Sequence, residues 1–191
     1  MSSRSGELLD QGLDFVTGII IRLGEPDWER PSPCAGWTAR DVVGHLAATM
    51  GVAVSAMQGR PRAEPGVARP GDLVGGDPAR FWRDTATGVR DVLRGADLGR
   101  EMQTPLGHTV ADDLAIPVMD LYVHAWDLGV VAGIGVEIPA DVIDYAHAYL
   151  DPLPGDVVRG PGRAFGPQAP VPAGATATER FIAWTGRELP Q

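Results

Sequence analysis

The sequence predicts an all-α protein, and three observations support this class. Apolar residues recur at helical spacing in several long segments, and no segment shows the sustained apolar–polar alternation of a strand. Capping-box patterns begin at Thr38, Thr109 and Thr176, each directly before such a segment. The 191 residues are enough for one hydrophobic core. The simplest arrangement is an antiparallel four-helix bundle with one long crossover.

The first two helices are predicted from periodicity and capping. Residues 6–23 carry apolar side chains at a 3.6-residue period, and the sequence Gly-Glu-Pro that follows ends the helix. Residues 29–36 contain two prolines and are not helical throughout. The capping box of Thr38 and Asp41 opens a second helix that runs to about Gln58. His45 lies on the inward side of this helix, beside its apolar stripe.

A long connection separates the second helix from the third. Residues 59–76 are rich in Pro, Gly and Arg, which predicts an irregular crossover, and its arginines are candidates to hold an anionic substrate. Asp77 followed by Pro78 then starts a helix that extends to about Arg94. The side chains that this helix is expected to bury are Phe81, Thr85, Val89 and either Val92 or Leu93.

The remaining sequence predicts three more helices and one irregular segment. The helix opened by Thr109 is expected to reach Ala132, with a kink or a break at Pro117. A shorter helix spans residues 140–150, and the final helix runs from Thr176 through Trp184. Residues 151–175 hold many prolines and glycines and are predicted to form a strap. We therefore expect a helical bundle at residues 1–150 and a C-terminal extension, residues 151–191, packed on the same domain.

Composition excludes several classes of function. The net charge of −9 argues against nucleic acid or an anionic membrane as a partner, because no basic footprint is present. A single cysteine excludes an internal disulfide framework and a cysteine-clustered zinc site. No window has the roughly 18 uninterrupted apolar residues of a spanning helix, and the first residues are not a secretory signal. We expect a cytoplasmic protein that is a monomer or a homodimer.

The candidate chemistry lies on the helix before Ala132. Asp120 and His124 are four residues apart, so they project from one face, and Asp127 lies close to that face. This line borders the apolar stripe, where an unpaired carboxylate or imidazole is costly. His45, core-side on another helix, is the natural third ligand. Two histidines and one carboxylate would hold a divalent metal, Zn²⁺ by preference, with Fe(II), Ni(II) and Mn(II) left open.

Structural interpretations compete with the metal site. Asp120 and His124 can form a simple helix pair while His45 is a hydrogen-bonded core residue. His108 is interpreted as structural, His147 as a surface helix residue, and Cys34 as a half-buried, inert thiol. The aromatic residues interpreted first as core or pocket-wall side chains are Trp37, Trp82 and Trp126.

Two segments resemble a known family. Residues 31–46, PSPCAGWTARDVVGHL, resemble a signature of the DinB-like metalloprotein superfamily, in its branch of mycothiol-dependent maleylpyruvate isomerase N-terminal domains. Residues 119–133, MDLYVHAWDLGVVAG, resemble the second signature of that branch. The residues from Phe165 to Arg187 are also similar to the ends of its small single-domain members.

The resemblance implies an up-down-down-up four-helix bundle that binds a divalent metal, usually Zn²⁺. Carried over by position, the ligands are His45, Asp120 and His124, and Asp127 is a candidate to orient an imidazole. The isomerase has Glu where this chain has Asp120. It also carries a separate C-terminal α/β domain, so activity on maleylpyruvate itself does not follow.

Three hypotheses for the function remain open from the sequence. The first is a metal-dependent S-transferase or isomerase that uses a small thiol such as mycothiol on a small electrophilic substrate. The second is a non-catalytic binding or regulatory module in which the metal only stabilises the bundle. The third is a metal-free bundle whose polar residues merely pair. Whether the protein is an enzyme is not decided by these residues.

Overall fold

The computed structural model of the protein describes residues 3–62, 66–102, 108–160 and 165–190. In these ranges the regular structure is helical, with isolated bridges and no strand, which confirms the all-α class. Two short 3₁₀ turns, Glu25–Glu29 and Pro70–Leu73, accompany the α-helices. The helices are α1 (Arg4–Ile20), α2 (Ala39–Gln58), α3 (Pro78–Leu93), α4 (Val110–Asp113), α5 (Ala115–Ala132), α6 (Ala140–Leu150), α7 (Gly155–Val158) and α8 (Ala177–Trp184).

The contacts divide the chain into two compact units, residues 1–133 and 134–191. In the first unit four helices pack around one core. Helix α1 packs against α5 and α3, and α2 packs against α3 and α5, so the four helices close a ring. The predicted up-down-down-up order of the helices stays a prediction.

Capping chemistry places the helix starts where the sequence predicts them. The hydroxyls of Thr38, Thr109 and Thr176 each accept a hydrogen bond from the backbone N–H three residues later. Helix α2 ends at Gln58 as predicted. Helix α1 is displaced toward the N-terminus, because Ser3 Oγ accepts from Gly6 N at 3.3 Å and starts the helix at Arg4. It ends at Ile20, before the predicted boundary at residue 23.

The predicted inward face of α3 is wrong by about one residue. Trp82 is fully buried and Ala86 is nearly so, whereas Phe81 and Thr85 are only partly buried. Val89 is buried as predicted, and Val92 and Leu93 are half-buried. The larger indole occupies the core because its N–H donates to Thr17 Oγ1 of α1 at 2.9 Å, which satisfies its polar atom there.

Pro117 divides the helix that begins at Thr109, as predicted, but the break lies three residues earlier. The proline ring clashes with the carbonyl four residues before it, that of Asp113, and α4 ends at this residue. Helix α5 then continues to Ala132. The stretch Val110–Ala132 is long and apolar enough to cross a membrane, yet 83% of its most apolar window is buried inside the protein. This burial is typical of a core helix.

The crossover packs against the start of α2. Gly71 N donates to Asp41 Oδ1 at 3.0 Å, and Arg69 forms an ion pair with Asp41. A Cβ on Gly44 would lie 1.9 Å from the carbonyl oxygen of Pro70, so only glycine permits this close approach. The predicted irregular path holds apart from the 3₁₀ turn, with residues 63–65 outside the described ranges.

The second unit contains the last helices of the chain. Helix α6 spans Ala140–Leu150 as predicted and packs against α8. The described part of the predicted strap is irregular except for α7, and residues 161–164 lie outside it. His147 Nδ1 lies 3.2 Å from Asp151 Oδ1, a surface pair. The predicted division at residue 150 stays a prediction, although the contacts group α6 with the residues that follow it.

Candidate metal centre

His45 is held by the fixed first turns of α2. Thr38 N donates to Asp41 Oδ2 at 2.9 Å, and Asp41 N donates to Thr38 Oγ1 at 3.3 Å, so the first turn is tied at both ends. His45 follows Asp41 by one helical turn. Its side chain keeps 30% of its surface exposed. The imidazole is therefore well positioned and still accessible.

Helix α5 supplies a line of polar side chains whose burial increases along the helix. Asp120, His124 and Asp127 follow one another at intervals of four and three residues, which keeps them on neighbouring positions of one face. The exposed fraction of the side chain falls from 25% at Asp120 to 6% at His124 and 0% at Asp127. The Asp120 end of this polar line is accessible to solvent, and the Asp127 end is buried.

Packing of α2 on α5 brings the three predicted ligands together. His45 Nε2 lies 3.3 Å from Asp120 Oδ2, and one ligand atom from each of His45, Asp120 and His124 lies within 4.8 Å of the others. Thr49 Oγ1 donates to the same Asp120 oxygen at 3.1 Å. The structure thus joins residues that are 75 positions apart in the chain. That they bind a metal stays a prediction.

His124 is paired on its other side with Asp127. His124 Nδ1 lies 2.8 Å from Asp127 Oδ2, and both side chains are buried. Since a carboxylate accepts, Nδ1 carries the proton in this pair, and the lone pair of the neutral ring is on Nε2. Asp127, predicted to orient an imidazole, therefore contacts the imidazole of His124.

Two pKa shifts define the charges in the cluster. Burial alone would raise the pKa of Asp120, but the hydrogen bond from His45 and the charge interactions with both histidines outweigh it, so this pKa falls below its usual value. Burial lowers the pKa of His124 by more than the carboxylates of Asp127 and Asp120 raise it. The site therefore contains an ionised carboxylate beside a neutral imidazole, the protonation states that a metal requires.

Trp37, which directly precedes the cap of α2, forms an aromatic wall on both histidines. Its ring centroid lies 4.9 Å from that of His45 and 6.1 Å from that of His124, and the two imidazole centroids are 4.8 Å apart. The ring contacts limit the rotation of both imidazoles. This placement agrees with the interpretation of Trp37 as a pocket-wall residue.

The donor set fits a divalent cation. Two ligand atoms that share a zinc ion at about 2.0–2.2 Å each are at most about 4.4 Å apart. The 3.3 Å between His45 Nε2 and Asp120 Oδ2 is inside this limit, and the 4.8 Å within which all three ligand atoms lie exceeds it by only about 0.4 Å. Two imidazoles and one carboxylate are ligand types that zinc accepts, and three protein ligands leave a coordination position for another molecule.

Sequence reasoning did not place two residues, Thr49 and Cys34, beside the cluster. Thr49 is one turn after His45 on α2, and this i+4 spacing is the signal that could have indicated its contact with Asp120. Cys34, interpreted as inert, has its thiol in a second group with His124 and Asp127, whose ligand atoms also lie within 4.8 Å of one another. In the crossover, Arg69 already pairs with Asp41 and Arg60 with Gln58, which weakens their case as substrate ligands.

A family model and two solved structures are similar to this chain. The family model described as mycothiol maleylpyruvate isomerase N-terminal domain matches residues 9–129. The crystal structure of the mycothiol-dependent maleylpyruvate isomerase superposes with a TM-score of 0.55 at 17% identity, covering 78% of this chain and 68% of that one. The crystal structure of a histidine-to-alanine mutant of that enzyme superposes with a TM-score of 0.52 at 15% identity, and it covers the same shares of the two chains. No curated protein matches the chain significantly. The structural matches confirm the predicted DinB-like all-α fold.

Proposed function

This chain belongs to the mycothiol maleylpyruvate isomerase N-terminal domain family, and on that premise we propose that it binds one divalent metal ion through His45, Asp120 and His124. We further propose that the ion is Zn²⁺ and that the protein is a thiol-dependent S-transferase or isomerase. The thiol is a low-molecular-weight co-substrate of the mycothiol type, and the second substrate is a small electrophile. The site of action is the cytoplasm.

The observation that carries the proposal is the convergence of the three ligand atoms within 4.8 Å from two distant segments. The neutral state of His124 and the ionised state of Asp120 favour a cation in their midst. Two imidazole nitrogens and one carboxylate oxygen form a set that zinc binds with an open position.

Zinc held by these three residues would lower the pKa of a coordinated thiol and so supply a nucleophile near neutral pH. The residues around it have separate tasks. Asp127 accepts from His124 Nδ1 and holds the ring with Nε2 toward the site. The partial exposure of His45 and Asp120 leaves the approach for two small molecules on their side. The indole of Trp37 restricts both rings and shields them from water on its side.

Thr49 compensates for the short carboxylate. Aspartate reaches less far from its helix than the glutamate that the isomerase is expected to carry at this position, so its orientation matters more. The hydroxyl of Thr49 donates to Asp120 Oδ2, the same oxygen that faces His45. This second contact fixes the carboxylate plane between α2 and α5.

Metal analysis of the variants His45→Ala and His124→Ala tests the proposal. Untagged wild-type protein should bind one equivalent of zinc by elemental analysis, and each variant should lose it while remaining folded. His147→Ala is the matched control, because His147 also pairs with an aspartate but belongs to the surface of α6. Unchanged zinc stoichiometry in both site variants would remove the basis of the proposed function.

A thiol assay then separates catalysis from a structural role. The zinc-loaded protein should accelerate addition of a small thiol to an electrophilic acceptor, and His45→Ala should abolish the acceleration. A protein that binds zinc in the predicted stoichiometry, yet gives no acceleration with a panel of thiols, would be the metal-stabilised binding module instead.

A further inference from the structure

We propose that the chain has a second, overlapping cation site formed by Cys34, His124 and Asp127, which takes thiophilic divalent cations such as Cd²⁺. The site shares His124 with the proposed zinc site, but it does not require zinc to bind there. Its thiolate ligand comes from the loop before α2, an element that contributes nothing to the first ligand set.

The loop that carries Cys34 is fixed by its own backbone. Trp37 N donates to Cys34 O at 3.0 Å, and Ser32 N donates to Trp37 O at 2.8 Å, which closes a tight turn. The turn needs Gly36, whose φ of +78° is in the left-handed region that favours glycine. Ser32 Oγ accepts from Cys34 N at 3.2 Å. Cys34 therefore sits on a defined turn and not on a loosely held segment.

A guanidinium ties this loop to α5. Arg30 Nη1 donates to the carbonyl oxygen of Val131 at 2.6 Å, near the C-terminal end of the helix that carries His124 and Asp127. Asp27 accepts from the same nitrogen at 3.0 Å and steadies it. The contact explains why a thiol from the loop lies beside the buried end of the polar line on α5.

The three ligand atoms form a compact and sheltered group. They lie within 4.8 Å of one another, and the side chains of His124 and Asp127 are 6% and 0% exposed. Asp127 Oδ2 contacts His124 Nδ1, so a cation bound by both would displace the proton between them, which moves to Nε2 of the ring or to water. The second site thus uses Nδ1 of the ring, whereas the first uses Nε2.

The two sites exclude each other because a neutral imidazole has a single lone pair. His124 serves one cation at a time, and the softness of the cation decides which ligand set wins. A thiolate is a soft ligand and favours cadmium, whereas two imidazoles with a carboxylate suit zinc and harder ions. Water is also largely excluded around Asp127, which favours an ion that gives up its hydration shell for sulfur.

Cadmium titration of the full chain tests this site. One equivalent of Cd²⁺ should produce the ultraviolet sulfur-to-cadmium charge-transfer band in wild-type protein, and His45→Ala should retain it. Cys34→Ser should lack the band and bind cadmium about tenfold more weakly or worse. His124→Ala should lose both the band and tight binding, because the shared ligand is gone. Circular dichroism checks that each variant is folded.

Alkylation of wild-type protein gives a second measurement that needs no variant. Cys34 is the single cysteine, so the rate of its reaction with iodoacetamide reports this thiol alone. One equivalent of Cd²⁺ should slow the reaction about tenfold or more, whereas Mg²⁺, which prefers oxygen ligands, should not.

The outcomes separate this proposal from the proposed function. Cadmium binding without the sulfur band, or unprotected alkylation, would overturn the second site and leave the zinc site standing. A sulfur band that survives in His45→Ala while zinc stoichiometry is unchanged by that substitution would support the second site and refute the first. Loss of the sulfur-to-cadmium band in His45→Ala would refute the second site, because cadmium would then need His45 as a ligand.

Discussion

Replacing Asp127 by alanine should weaken zinc binding by about 10- to 100-fold, the usual contribution of a group that orients a ligating histidine. Its carboxylate accepts from His124 Nδ1 at 2.8 Å and is fully buried. At about 1.4 kcal/mol for each factor of ten, the expected loss is about 1.4–2.8 kcal/mol. Burial favours the upper half of this range, because a charge-assisted hydrogen bond is stronger where water is excluded.

Asp127→Asn separates orientation from charge. The amide oxygen can still accept from Nδ1, so the ring keeps its direction, but the negative charge that raises the basicity of the imidazole is gone. We expect a loss of about tenfold or less for this variant. Zinc affinity should therefore be highest in the wild type, lower in Asp127→Asn and lowest in Asp127→Ala.

Competition with a zinc chelator of known affinity, at fixed pH and ionic strength, measures all three proteins. Asp151→Ala is the control, since Asp151 also lies beside a histidine nitrogen, His147 Nδ1 at 3.2 Å, but its side chain is 61% exposed. The control should bind zinc like the wild type. A folded Asp127→Ala protein with wild-type zinc affinity would refute the assignment of Asp127 as the orienting group.

Substitutions at three further positions test the frame of the site. Thr49→Val should weaken zinc binding by about tenfold and Thr49→Ser should restore it in the same chelator competition, because the hydroxyl contact with Asp120 is what differs. Asp41→Ala should lower the free energy of unfolding by about 2–3 kcal/mol in a denaturant titration, because Asp41 accepts from the capping box and also from Gly71 of the crossover. Asp112→Ala, which removes only an exposed capping box, should lower it by about 1 kcal/mol. Burial alone would raise the pKa of Asp41, but the hydrogen bonds that its carboxylate accepts lower this pKa below the usual value of 3.8. The destabilisation by Asp41→Ala should therefore be complete above pH 3.8 and become smaller as the pH falls through the pKa of Asp41 in the folded protein. The same destabilisation at all pH values would contradict this assignment. Gly44→Ala should displace the crossover and cost about 1–3 kcal/mol or more by the same titration, because the added Cβ meets a backbone oxygen at 1.9 Å.

Local signals explain which parts of the fold were predictable. Capping boxes fix helix starts through contacts only three residues apart, so Thr38 and Thr109 mark α2 and α4 correctly from sequence. The face of α3 depends instead on a contact with another helix. Phe81 and Trp82 are adjacent, and both fit an apolar stripe. The hydroxyl of Thr17, 65 residues earlier, decides between them by accepting the indole N–H.

The candidate site divides in the same way. Asp120, His124 and Asp127 share one helix, so their spacing alone places them together, and His45 follows once α2 packs on α5. Thr49 was not identified because a threonine mid-helix is ordinarily structural and its contact is with another helix. Cys34 lies on a turn, and helical periodicity says nothing about where a turn points its side chains.

The pairing seen in the cluster also determines which experiment can decide between a metal site and a metal-free bundle. His45 pairs with Asp120, and His124 pairs with Asp127, so each charged or polar group has a partner before any cation arrives. The protein should therefore fold without metal. Chelation should lower the free energy of unfolding only by the contribution of metal binding, which grows with the ratio of free metal concentration to dissociation constant. Retained thermal stability after chelation is compatible with both hypotheses. Stoichiometric zinc binding that His45→Ala and His124→Ala abolish, while both variants stay folded, is instead the result that a metal-free pair cannot produce.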